Sequence, residues 1–110
     1  FQAVVPHIVT DTPAIKKLPA VYYMDNVTGT DFLPTELVDI SSVMDKKIAM
    51  LECHQSQLVW LKEHDGLDVV DMMKTVAKFR GLSCQGKVAY AEGFKRLDAW
   101  GRNPVCRLLP

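Results

Sequence analysis

His54 and Gln57 stand three positions apart in the run Cys53-His54-Gln55-Ser56-Gln57, a spacing that puts both on one side of a helix. An imidazole there can move protons or bind a metal; its plainer role on an apolar helix face is that of a hydrogen-bonded core or boundary residue. Gln57 and Ser56 have the ordinary reading of groups that bond to backbone. Lys47 projects near the same apolar stripe, and it needs either a partner or a path to solvent along its methylene stem. Glu92, between small and aromatic neighbours in Tyr90-Ala91-Glu92-Gly93-Phe94, is suited to pair with an arginine or, inside a cleft, to orient a catalytic group. Asp39 either caps a turn or points into a site.

These residues are positioned by a few elements. Ser41 to Leu61 reads as one long amphipathic helix, with Val43, Met44, Ile48, Met50, Leu51, Leu58 and Leu61 on a single broad face and His54 within it. Ser41 or Ser42 is the expected cap, and Asp45 suits the first turn, where the helix dipole favours an anion. Leu37 to Ile40 is a short strand feeding that helix, the β-then-α unit of layered folds in which functional groups gather at the carboxyl ends of strands. Upstream, Ala20-Val21-Tyr22-Tyr23-Met24 reads as a buried strand bounded by Pro19 and Asp25-Asn26. Thr28-Gly29-Thr30-Asp31 is turn chemistry. After a polar turn with Gly66 available for a left-handed conformation, Asp68 caps a second helix whose apolar side is Val69, Val70, Met72, Met73, Val76 and Phe79, ended by Arg80-Gly81. Val88 to Phe94 alternates as a short extended piece, with Gly93 permitting a close backbone approach. The segment from Leu97 to Pro110 is partly apolar and irregular, and with Trp60 and Trp100 it offers material for a subunit contact.

Composition narrows the function. The 110 residues are 48% hydrophobic and 24% charged, ordinary for a small globular domain. Lys plus Arg number 13 against 13 Asp plus Glu, and no basic run occurs, so there is no electrostatic footprint for nucleic acid. No apolar stretch approaches a membrane span and no signal peptide opens the chain, so the expected setting is cytoplasmic. Cys53, Cys84 and Cys106 are odd in number and form no Cys-x-x-Cys pair, which argues for reduced thiols. There is no phosphate-cradling glycine loop and no nucleophile elbow. Phe1-Gln2-Ala3-Val4-Val5 ahead of Pro6 reads like the tail of a helix, so the chain is expected to be a fragment.

Val38-Asp39-Ile40-Ser41, Lys46-Lys47 with Ala49, His54-Gln55-Ser56-Gln57 and Tyr90-Ala91-Glu92-Gly93-Phe94 occur in an order that resembles the C-terminal part of the LmbE-like superfamily, the GlcNAc-PI de-N-acetylase (PIG-L) superfamily. The Val-Tyr-Tyr strand, the Phe-x-Pro turn and the closing Gly-Arg-Asn-Pro and Leu-Leu-Pro are also similar to members of it. The resemblance implies an α/β fold, here the C-terminal half of a Rossmann-like layered fold with short strands and two main helices, forming one partial domain over residues 1–110. It implies zinc-dependent hydrolysis of the N-acetyl group of an amino-sugar conjugate. The family's Ala-His-Pro-Asp-Asp loop and His-x-x-His segment do not occur in these residues, so zinc and base are expected from a missing N-terminal half. In this reading His54 and Glu92 are the candidates nearest catalysis, and Gln57, Asp39, Lys47 and Tyr90 line or support the pocket. The expected partners are the N-acetylated amino sugar, the absent half and further copies of the chain. The alternative is a catalytically silent LmbE-like binding, structural or oligomerisation module.

Overall fold

The computed structural model describes residues 11–15, 20–85 and 88–98. The first ten residues, His7 among them, and the segment from 99 onward, with Trp100 and Cys106, lie outside the described residues. The chain divides into two compact units, one formed by Phe1–Tyr22 with Arg96–Pro110 and the other by Tyr23–Lys95. In the first, the Leu97 amide donates to the Val21 carbonyl at 2.9 Å, and the Arg96 guanidinium lies 5.8 Å from the Tyr22 ring centroid.

The elements run β1 (Tyr22–Met24), β2 (Glu36–Asp39), a 3-10 turn (Ser41–Val43), α1 (Met44–Glu52), α2 (Gln55–Asp65), α3 (Val69–Leu82) and β3 (Ala91–Arg96). This is the mixed helix and sheet of an α/β chain. The strands order β1-β3-β2, and β2 pairs antiparallel with β3, Leu37 opposite Gly93 and Asp39 opposite Ala91. The expected passage from strand to helix is present: Ile40 accepts the Val43 amide at 3.0 Å, closing the turn that leads into α1. A small core forms where Ile40, Met44 and Ala77 pack together, with Ile48, Met73 and Tyr90 against them.

Three expectations are corrected. The long helix is two helices, because the chain turns at Cys53 and His54. Both belong to the weaker helix formers, and His54 (φ −87°, ψ 48°) becomes the N-cap of α2, its carbonyl accepting from the Gln57 and Leu58 amides. The single apolar face dissolves with the break, leaving Val43 and Met50 exposed. The strand at Tyr22–Met24 is exposed rather than buried, since it forms an edge of the sheet. Ser41 does not cap the helix by its side chain. Asp39 Oδ1 takes the Ser41 amide at 2.9 Å, and Ser41 Oγ accepts from the Tyr90 amide at 3.1 Å, fastening the start of the helical region to the residue before β3.

The second helix begins as expected at Asp68, whose carboxylate accepts the Asp71 amide at 3.0 Å, but it runs on through Gly81 to Leu82. Gly66 closes α2 in the left-handed region at φ 66°. The Asp71 amide bond holds the Asp68 carboxyl below its usual pKa, outweighing slight desolvation that acts the other way, with Lys62 assisting. A depressed folded-state pKa gives stability that is complete above the unfolded value and is lost as pH falls through the folded one. The thermal midpoint of Asp68→Ala should therefore lie below that of the wild type at neutral pH, and the gap should close as the solution is acidified below the ordinary aspartate range; a gap constant with pH contradicts this.

Gly81 is buried in α3 against the segment before β3, and a Cβ there would sit 2.7 Å from the Val88 carbonyl oxygen and 2.9 Å from that of Ala89. Alanine is the better helix former by about 1 kcal/mol, while forcing a methyl into packed backbone costs about 1–3 kcal/mol. With backbone oxygens as close as 2.7 Å the upper part of that cost applies, so Gly81→Ala should lower stability in urea unfolding by up to about 2 kcal/mol, against the sign that helix propensity alone gives.

Candidate functional site: a charge-compensated cavity

Within the unit Tyr23–Lys95, α1, α3, β3 and the residues that follow β1 enclose a half-open cavity of about 240 Å³. Its walls are mostly apolar, with Met24, Val27, Leu51, Met73 and Val76 prominent, and four charged side chains join them: Lys47, Glu92, Asp25 and Arg80.

Lys47 reaches from α1 to Glu92 on β3, Nζ to Oε1 at 2.5 Å. Both are about two-thirds buried, so the pair is neither deep in the interior nor freely solvated. Three N–H donors sit on the lysine and one is used here; Glu92 keeps Oε2. Among the described residues no buried side-chain polar atom lacks a partner, so Oε2, which takes none, is not buried.

Arg80 is the deeper group, with 6% of its surface exposed. Its Nε donates to Asp25 Oδ2 at 2.6 Å, and its Nη2 donates to the Gly29 and Phe32 carbonyls, both at 3.0 Å. One guanidinium thus ties the end of β1 and both sides of the following loop to α3. The loop is organised internally by Asn26, whose side chain donates to the Thr30 carbonyl at 2.5 Å and accepts from Thr28. Gly29 adopts φ +68°, and a Cβ on it would come within 3.1 Å of Val76 Cγ1, so the loop lies tight on α3. Gly93 gives β3 the close approach expected of it: a Cβ there would meet Pro34 at 3.1 Å and Asp25 Oδ2 at 3.2 Å.

Of the residues singled out in the sequence, Lys47 and Glu92 meet in this cavity. Glu92 pairs with a lysine rather than an arginine. His54 and Gln57 are exposed at the break between α1 and α2 and do not line the cavity. Asp39 is exposed and caps the turn, its pKa lowered by the hydrogen bonds from the Ser41 side chain and amide. Tyr90 packs on the core. His64 is exposed, stacked on Trp60 with centroids 4.8 Å apart and bonded to Asp65 at 2.8 Å. Arg80 and Asp25 went unread because their partners lie 48 to 55 residues apart in the chain. The only signal was a charged residue continuing the α3 pattern.

Cys53 and Cys84 are free thiols. Among the described residues no three His, Cys, Asp or Glu side chains are grouped so as to hold a metal ion. The zinc implied by the resemblance therefore finds no fitting donor set here. No helix among them is long and apolar enough to cross a membrane.

The chain matches no protein-family model and no curated protein. Its backbone is similar to the crystal structure of the 4-carboxy-2-hydroxymuconate hydratase from Pseudomonas putida KT2440, with a TM-score of 0.64 and 22% sequence identity over 94% of this chain. The chain spans 43% of that protein's length. A likeness at this identity is a likeness of fold.

Removing one member of a buried ion pair strands the other. Arg80→Ala should cost about 3–5 kcal/mol in denaturant unfolding. Arg80→Lys should recover less than half of that, since a single ammonium does not span a carboxylate and two carbonyls as a planar guanidinium does; full recovery by lysine would show that charge alone matters.

Proposed function

We propose that this chain is the C-terminal part of a zinc-dependent N-deacetylase of the LmbE-like (PIG-L) superfamily, a Rossmann-like enzyme that hydrolyses the N-acetyl group of an amino-sugar conjugate. The observation that supports the reading is the meeting of Lys47 and Glu92, 45 residues apart, in one cavity. Both belong to the motif positions on which the resemblance rests. A secondary amide presents one acceptor and one donor, and the remaining N–H groups of Lys47 and the Oε2 of Glu92 are the complementary set. In this arrangement Lys47 and Glu92 bind and orient the neutral amide. In this reading zinc and the base that activates water would come from residues outside those described.

A second reading is hydration of a carbon–carbon double bond, favoured by the fold shared with the muconate hydratase. The charge pattern of the cavity supports the first. The substrate in that protein's name is a carboxylated muconate, and seating carboxylates calls for cations that lack a carboxylate of their own. In this cavity Lys47 is matched by Glu92 and Arg80 by Asp25. A neutral amide suits it better.

The test uses the full-length protein, zinc-loaded, with acetate release from N-acetylglucosaminides as the readout. Lys47→Met and Glu92→Gln should each lower kcat/KM by about tenfold or more, the effect of stranding a polar partner worth about 1–3 kcal/mol, with the circular dichroism spectrum retained. Removing zinc with a chelator should abolish acetate release. A loss with His54→Ala and none with the cavity variants would move the reacting groups to the break between α1 and α2. Water addition to a carboxylated diene without acetate release would favour the hydratase, and neither reaction, with no bound metal, the silent module.

A further inference from the structure

The apolar side of the cavity has no role in holding an amide. Met24 and Val27 are 64% and 66% exposed, yet both belong to the cavity wall, together with Met73 and Val76 of α3. The loop bearing Val27 is fixed by the bonds from Arg80 to Gly29 and Phe32. The volume, about 240 Å³, exceeds the roughly 150 Å³ of an apolar cavity that takes benzene. Charged ligands find no unmatched partner within it, because both cations already face carboxylates.

We infer that this cavity is a subsite for an uncharged apolar group, of the size of a substituted aromatic ring or a short branched hydrocarbon, carried by the substrate next to its amide. The substrate class is then an N-acylated amino compound with a hydrophobic substituent rather than a free hydrophilic sugar. Apolar contact with Met24, Val27, Met73 and Val76 supplies the attraction. The assignment of the substituent to a substrate rests on the cavity being the amide site proposed above; the apolar subsite itself does not.

Two fluorescent probes with the same ring skeleton test it on the full-length protein: neutral N-phenyl-1-naphthylamine and its anionic relative 1-anilinonaphthalene-8-sulfonate. The neutral probe should bind, and the sulfonate should bind about tenfold or more weakly, because its charge would be buried without a partner. Val27→Asp should weaken the neutral probe about tenfold. Leu33→Asp, at an apolar residue 82% exposed and outside the cavity wall, should leave it unchanged and controls for any general effect of an added charge. No binding of the neutral probe, equal binding of both, or equal losses in the two variants overturns the inference. Acetate release without probe binding overturns it while leaving the deacetylase reading standing. Probe binding that is lost with Val27→Asp, in a protein that releases no acetate, upholds the apolar subsite and overturns the deacetylase reading.

Discussion

A guanidinium that is almost wholly buried holds one wall of the cavity together. Arg80 could not sit there alone, because an unpaired cation in a poorly solvated position carries a desolvation cost of several kcal/mol. The cost is met by Asp25 and by two carbonyls of the loop that follows β1. Those carbonyls belong to a segment with no strand or helix to satisfy them, so the arginine also solves the loop's own hydrogen-bonding problem. Each side makes the other tolerable. This is why a loop containing exposed apolar residues has a defined course over α3, and why the cavity beneath has a wall at all.

The second ion pair differs in kind. Lys47 and Glu92 are partly solvated, and a pair so placed contributes little to stability beyond what the geometry of α1 and β3 already secures. Its effect is on the chemistry of the space it borders. Two matched pairs leave the cavity with charged groups but no net charge, which disfavours ions and leaves hydrogen bonding and apolar contact as the means of recognition. A buried arginine that positions backbone and a partly solvated lysine paired with a carboxylate thus both line the cavity.

How much of this could be read from the chain follows from the range of the interactions. Local signals were legible: the Asp68 cap, the left-handed Gly66, the turn at Thr28 to Asp31 and an extended piece before Phe94 each depend on residues within a few positions of one another. The strand itself, however, begins only at Ala91 and runs on to Arg96. Lys47 and Glu92 were legible as chemistry, though not as each other's partners. The break at Cys53 and His54 was not legible, because a helical wheel assumes continuity and averages over two residues of modest helix propensity; the face it drew joined residues that α1 and α2 point in different directions. Arg80 was missed for a different reason. Its burial depends on an aspartate and two carbonyls distant in sequence, and from the helix alone a charged residue beside a glycine reads as a terminus.

Exposure at the edge strand follows from the same topology. The sheet has β3 in its centre, so among the described strands β3 is the one paired on both sides, and its burial at Ala91 and Gly93 reflects that place. Strand β1 lies at the edge with Tyr23 and Met24 open, although its residue types are those of an interior strand. Propensity thus fixed the element while position in the sheet fixed its exposure. Met24 shows the consequence, since an apolar residue suited to a core instead lies in the cavity wall. There it can be covered by a ligand's apolar group, which connects the architecture of the sheet to the kind of molecule the cavity can hold.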